Sequence, residues 1–173
     1  ATSNICTAQV LLAVIASMYA VYHGPDGLRS IATRVNKLAG TFAHACRTHD
    51  LTVVSDHFFD TVAATSPGNA DSRAGAALGA GYNIRRIDAD TVGVTFDETS
   101  TAATVDDLLH AFALDVDIAD AFAAANPSIP DPLARTSQFC TAGVFQRHRS
   151  ETQMLRYLRR LVNRDIALDR SMI

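Results

Sequence analysis

The amino-acid sequence predicts an α+β fold, in which helices cover a small, mainly antiparallel sheet. Apolar residues recur at helical spacing near both ends of the chain, and four short segments rich in β-branched residues lie between them. With 173 residues, 48% hydrophobic and 19% charged, the chain is long enough to bury a core. Its formal net charge of −3 gives no electrostatic argument for binding nucleic acid or an anionic membrane.

The first predicted element is an apolar helix that begins at the cap-forming residues Thr2, Ser3 and Asn4 and ends at "HGPDG". Because it is apolar almost all round, we expect other elements to cover most of its faces. A membrane span is the weaker interpretation, since polar residues interrupt the segment and no basic residues flank it. A second, amphipathic helix follows, and its predicted buried stripe is Leu28, Ile31, Val35, Leu38, Phe42 and Ala45.

The middle of the chain predicts strands in "LTVVSD", "HFFDTVAAT", "YNIRRID" and "TVGVTF", with a weak Ala/Gly-rich helix after the second of them. Another helix should follow "DETST", and the acid pairs Asp97–Glu98 and Asp106–Asp107 are predicted to cap and flank it. A shorter helix is expected around "VDIADAFAAA". The segment "NPSIPDP" indicates a linker, and Ser150 with Gln153 predicts a capping box at the start of the last helix.

Few residues in the sequence indicate a catalytic or binding site. The Thr2–Asn4 segment at a helix N-terminus suits an anion or simply caps the helix. Cys6, on the first turn, has either a lowered thiol pKa or an inert place in the core. The three cysteines are odd in number and scattered, which favours free thiols in a reducing compartment, and the histidines predict no metal site.

Two further features concern charged side chains. Lys37 is the only lysine, and its position on the polar side of the second helix predicts an exposed amine that is unsuited to carrying a cofactor. The basic face of the last helix is either solvated or a contact surface for carboxylates, and it comprises Arg156, Arg159, Arg160 and Arg164. No catalytic residue is predicted from these patterns.

Several motifs resemble those of one family. The opening "ATSNICTAQVLLAVIASMYAVYHGPDGLRSIATRV", the internal "FFDT", "YNIRRID" and "DETST", and the closing "RTSQF" and "VFQRHRSETQMLRYLRRLVNRDIALDRSMI" resemble the glycine cleavage system P-proteins, the decarboxylating glycine dehydrogenases. The resemblance is collinear over nearly the whole chain. It implies an oxidoreductase of glycine catabolism, built from two related halves of the pyridoxal phosphate (PLP) fold-type I architecture.

By this resemblance the chain is a fragment from the end of the first half. Residues 1–24 would form an inter-domain helix, 25–126 the small α+β domain, and 127–173 a linker and helical arm toward the second half. The absence of an initial Met fits such a cut. The lysine that carries PLP would lie outside this chain, so we expect the chain alone to be inactive. Thr2, Ser3, Asn4 and Cys6 are candidates for the border of the active-site entrance; the residues that contact PLP are not predicted.

The resemblance also implies partners: the rest of the P-protein, lipoylated H-protein and glycine. A dimer is expected for the full enzyme, in the bacterial cytoplasm in preference to a mitochondrial matrix. The arm departs from the family pattern "T-H-P-V-F-N-x-Y-H-S-E-T", because Ala142 replaces one histidine and Arg149 the other. The alternative function is a stand-alone, non-catalytic α+β module for binding or dimerisation, with the basic helix face as its contact surface.

Overall fold

The computed structural model describes residues 8–126 and 128–171, and the chain divides into two compact units. The first unit comprises Ala1–Ser30 and Thr136–Ile173, and the second comprises Ile31–Arg135. The domain limits predicted after residues 24 and 126 stay a prediction.

The longest element, α1 (Ala8–Thr48), contributes residues to both units and contains one break. Gly24 has φ 62° and ψ −178°, which is not helical, and Pro25 follows it. Glycine tolerates this positive φ because it has no Cβ, and proline suits the first turn of the helical segment that resumes. The predicted change of helix at "HGPDG" is therefore confirmed.

The second unit contains a four-stranded antiparallel sheet in the order β1-β2-β4-β3. Its strands are β1 (Thr52–Val53), β2 (Thr61–Thr65), β3 (Arg85–Arg86) and β4 (Thr91–Thr95). The two longer strands form the centre, with Ala63 opposite Gly93. The predicted α+β class with a small antiparallel sheet is confirmed.

Three further helices of this unit are α2 (Ala70–Gly79), α3 (Ala102–Ala111) and α4 (Ile118–Ala124), and a 3₁₀ turn follows at Asp131–Leu133. Thr101 caps α3 in a capping box with Thr104. The prediction that the acid pairs cap this helix was wrong, because Asp97–Glu98 precede the Thr101 cap and Asp106–Asp107 lie within the helix. The Asp97 carboxylate instead accepts hydrogen bonds from the backbone amides of Thr99 and Ser100, so it shapes the turn before the helix.

The core of the second unit joins the later part of α1 to β2, β4 and α3. Of the predicted stripe, the residues from Val35 onward are buried, while Leu28 and Ile31 are half-buried. Phe42 is 0% exposed, and its ring centroid lies 5.9 Å from that of Phe96 and 5.4 Å from that of Phe112. These tilted and edge-on contacts are favourable for aromatic rings.

The first unit contains the beginning of α1, a short helix α5 (Val144–Arg147) and α6 (Glu151–Val162). The Ser150 side chain accepts a hydrogen bond from the backbone amide of Gln153, which is one of the two bonds of the predicted capping box. The expected cover over the first helix is missing among the described residues, because Val10, Leu11, Leu12, Val14 and Ile15 are 49–67% exposed. No helix in the described ranges is long and apolar enough to cross a membrane.

Candidate functional site

The residues predicted to border an active-site entrance, Thr2, Ser3, Asn4 and Cys6, lie outside the described residues. The described helix that follows them presents five exposed apolar side chains between positions 10 and 15. Contiguous apolar surface of this kind commonly marks an interaction site in a soluble protein.

Lys37 is not exposed as predicted, but half-buried within the second unit. Its Nζ donates to the carbonyl oxygen of Ala125 at 2.6 Å and lies 5.1 Å from the centroid of the Phe122 ring. That carbonyl follows α4, where the helix dipole favours a cation. The next residue of the same segment is also close to α1, since a Cβ on Gly40 would lie 3.2 Å from the carbonyl oxygen of Asn126. Lys37 therefore holds this segment against α1.

A cluster of charged groups surrounds the break in α1, within the first unit. Arg149 lies 3.6 Å from a carboxylate oxygen of Asp26 and donates to the Phe145 carbonyl oxygen and to Gln146 Oε1. A Cβ built on Gly24 would lie 2.5–2.7 Å from the Arg149 guanidinium. Only a residue without a side chain leaves this guanidinium in place. Arg149, which stands where the resemblance predicts a histidine, therefore has a definite structural role.

A shallow pocket of about 430 Å³ lies beside the same break. Its charged residues are Asp26 and Arg29, whose side chains are 3.7 Å apart and exposed. The Arg29 guanidinium carbon lies 5.5 Å from the centroid of the Phe139 ring. Because these opposite charges already face each other in solvent, the pocket offers little unmatched charge to a ligand.

A second groove of the first unit, of about 490 Å³, is lined by Arg147, His148, Gln153, Arg156 and Arg160. His148 stacks on Tyr157, with ring centroids 4.3 Å apart and planes inclined by 8°. The Arg160 guanidinium carbon lies 5.7 Å from the centroid of the same Tyr157 ring. Of the predicted basic helix face, Arg156 and Arg160 line this groove, Arg159 is paired with Asp169, and Arg164 is not part of the lining.

A groove of the second unit runs beside β4 and also measures about 490 Å³. At one end the Tyr82 hydroxyl donates to Asp107 at 2.6 Å, and this hydrogen bond raises the pKa of Tyr82. At the other end, hydrogen bonds from the side chains of Thr99 and Ser100 lower the pKa of Asp97. Both carboxylates are occupied by local structure, so the groove shows no free acid or base pair.

Cys46 is a buried free cysteine of the second unit. It is 0% exposed, and burial raises its pKa from 9.0 to about 12, against the opposing charges of Arg73 and Arg47. A thiol that stays protonated at neutral pH is a poor nucleophile. No group of three or more His, Cys, Asp or Glu side chains in residues 8–126 and 128–171 could hold a metal ion.

The fold and these sites define an α+β module whose described side chains serve mainly structural roles. A family model described as glycine cleavage system P-protein matches residues 1–112. Two proteins named glycine dehydrogenase (decarboxylating), from Paraburkholderia xenovorans (strain LB400) and Paraburkholderia phytofirmans (strain DSM 17436 / LMG 22146 / PsJN), are each 48% identical to this chain over 183 aligned residues. The alignments cover 100% of this chain and 19% of each relative. The chain belongs to the glycine cleavage system P-protein family.

The PLP cofactor that the family resemblance implies does not fit at the lysine of this chain. A cofactor-bearing lysine needs a free amine directed into a pocket. The Lys37 amine is instead hydrogen-bonded to a backbone carbonyl and lies over an aromatic ring. Freeing it would leave the part-buried Ala125 carbonyl without this donor, at a cost of about 1–3 kcal/mol.

Proposed function

We propose that this chain is one module of a glycine dehydrogenase (decarboxylating), and that the groups reacting with glycine lie elsewhere in that polypeptide. The observation that carries the proposal is the 48% identity over the entire chain, joined to a sole lysine that has a structural role. In the whole protein, bound PLP supplies an electron sink for the loss of CO2 from glycine. The aminomethyl group then passes to the lipoyl arm of H-protein.

The part of this chain nearest to that chemistry is its first seven residues, in our proposal. Thr2, Ser3, Asn4 and Cys6 border the entrance to the active site of the full enzyme. Two features support this: the position of these polar residues at the head of an apolar helix, and the exposed apolar surface that follows them. The bacterial relatives support a cytoplasmic enzyme, and we propose that it is a dimer.

The proposal is tested in the full-length product of the gene. Glycine-dependent CO2 release is measured with PLP and with or without lipoylated H-protein. Alanine replacements at Thr2, Ser3, Asn4 and Cys6 should lower kcat/KM several-fold, whereas Asp56→Asn, at an exposed side chain, should leave it unchanged. Unchanged rates in all four alanine variants would refute the assignment of these residues.

Lys37→Arg gives a second test, because arginine keeps a cation and a donor for the Ala125 carbonyl. The full-length variant should bind PLP with an unaltered absorption spectrum and retain activity. Loss of the cofactor spectrum would show that Lys37 carries PLP, contrary to the proposal.

The alternative, a non-catalytic binding module, is separated from the enzyme by the intact mass of the product expressed from the native gene. A product several times larger than 18.5 kDa that releases CO2 from glycine supports the enzyme. A product of about this mass without that activity favours the binding module.

A further inference from the structure

The groove formed by α5 and α6 carries positive charge that the described residues leave unmatched. Arg147, Arg156 and Arg160 line it and are exposed. No described carboxylate lies within 4.0 Å of these three guanidiniums, whereas Arg149, Arg159 and Arg170 of this unit are each paired with an aspartate. Those pairs are Arg149 with Asp26, Arg159 with Asp169, and Arg170 with Asp169. Arg164 also has no described carboxylate within 4.0 Å but does not line the groove, so the groove is distinguished by three such arginines lying together.

The Tyr157 ring contacts two of the side chains that line the groove. His148 stacks on this ring, and the Arg160 guanidinium carbon lies 5.7 Å from the ring centroid. A guanidinium held against an aromatic ring loses less conformational entropy when it binds a carboxylate than a freely rotating one. The groove is therefore partly arranged before any ligand arrives.

The spacing of two arginines indicates the form of the ligand. Arg156 and Arg160 are one helical turn apart on α6, a separation of about 6 Å along the helix axis. Carboxylates at alternate positions of an extended peptide are separated by about 6.6 Å on one face. Because arginine pairs with carboxylates through two parallel hydrogen bonds, an extended acidic segment would match both arginines at once.

We propose that this groove binds an extended acidic protein segment with carboxylates at alternate positions. The open shape of the groove along the helix suits a peptide rather than an enclosed metabolite. The net charge of −3 disfavours a nucleic acid, whose binding depends on many basic contacts. This binding is independent of the catalytic proposal above, because it uses none of its residues and is measured without turnover.

The test measures fluorescence anisotropy of a labelled peptide with glutamates at alternate positions, added to the full-length polypeptide that contains this chain. A peptide of the same composition with its glutamates contiguous is the matched ligand control. The double variant Arg156→Gln/Arg160→Gln should weaken binding about tenfold or more, and raising the salt from about 50 to 200 mM should weaken it further. Arg159→Gln is the matched protein control, because its guanidinium is already paired with Asp169.

We expect Arg159→Gln to change the Kd less than about twofold. We also expect inorganic phosphate at millimolar concentration to leave the peptide bound. Three results would overturn the proposal: no binding of the alternate-glutamate peptide, equal losses in the two variants, or displacement by phosphate. The last result would identify a small-anion site instead.

Discussion

The two units of this chain differ in how completely they cover their apolar side chains. Nearly every buried apolar residue in the described ranges belongs to the second unit, from Val35 to Ala125, while Val21 alone belongs to the first. The first unit instead exposes apolar side chains at the start of α1 and in and after α6. These exposed residues include Val10, Leu11, Leu12, Leu155, Val162, Ile166 and Leu168.

This difference indicates which unit is stabilised by contacts among its own residues. Burial of apolar surface stabilises by about 25 cal/mol per Å², and the second unit gains this from strands and helices within its own sequence. The first unit leaves much of that stabilisation unrealised among the described residues. A module of a longer enzyme would be expected to complete such a surface with other parts of the same polypeptide.

The largest expected effect is at the centre of the second unit. Phe42→Ala should lower the free energy of unfolding by about 3–5 kcal/mol, because it removes a fully buried ring that contacts two others. Urea denaturation of the 173-residue chain measures this loss. Leu78→Ala, at a side chain that is 65% exposed, is the control and should change stability by less than about 0.5 kcal/mol. Similar losses in both variants would contradict a self-contained core.

The pH dependence of the unfolding free energy tests the same core through Cys46. Its pKa in the folded chain, about 12, is above the value of 9.0 expected when unfolded, because burial disfavours the thiolate. The stability that this thiol contributes is complete below pH 9 and is lost as the pH rises toward 12, by about 1.4 kcal/mol per pH unit. Unfolding free energies between pH 8 and 11 measure that slope.

Cys46→Ala should lack this part of the alkaline loss of stability. Leu78→Ala, at an exposed side chain that does not titrate, is the control and should keep the wild-type slope. Parallel pH profiles for Cys46→Ala and the wild type would contradict burial of the thiol in a stable core.

Substitutions at the break in α1 test whether Gly24 and Arg149 stabilise the first unit together. Gly24→Ala should cost about 1–2 kcal/mol, because alanine at φ 62° is strained and its Cβ displaces the Arg149 guanidinium from its partners. The variant Arg149→Ala should lose the same contacts. A double-mutant cycle by urea denaturation should therefore give a combined loss smaller than the sum of the two. Strict additivity would show that the two residues act independently.

The smallest effect on stability is expected on the exposed face of the first helix. Leu11→Gln with Leu12→Gln should change the unfolding free energy by less than about 0.5 kcal/mol, because both side chains are about two-thirds exposed at 66% and 67%. The same pair should reduce self-association of the isolated chain, measured by sedimentation velocity. A large destabilisation would show that this face is covered after all.

Local patterns predicted much of the second unit. The stripe from Val35 to Ala45, the four strands and the helices after them depend on short-range periodicity, and each lies where it was expected. Three features were missed because they depend on contacts between residues distant in the chain. They are the engagement of Lys37 by the Ala125 carbonyl, the stacking of His148 on Tyr157, and the packing of Arg149 against Gly24.

The prediction that other elements cover the first helix failed among the described residues for a different reason. An almost wholly apolar helix predicts burial, but the sequence pattern does not specify which polypeptide segment provides the cover. The relatives are about five times longer than this chain, which covers 19% of each, so the missing contacts are consistent with segments of the full protein. The candidate entrance residues, Thr2, Ser3, Asn4 and Cys6, stay a prediction because they lie outside the described residues.

Hydrogen exchange of backbone amides tests the central contrast most directly, when the 173-residue chain is compared with the full-length gene product. Amides of residues 38–46 and 92–96 should be strongly protected in both. Amides of residues 12–16 should be protected mainly in the full-length protein, since their helix gains its cover there. Equal protection of residues 12–16 in the two samples would contradict the account, because the first helix would then need no further part of the polypeptide.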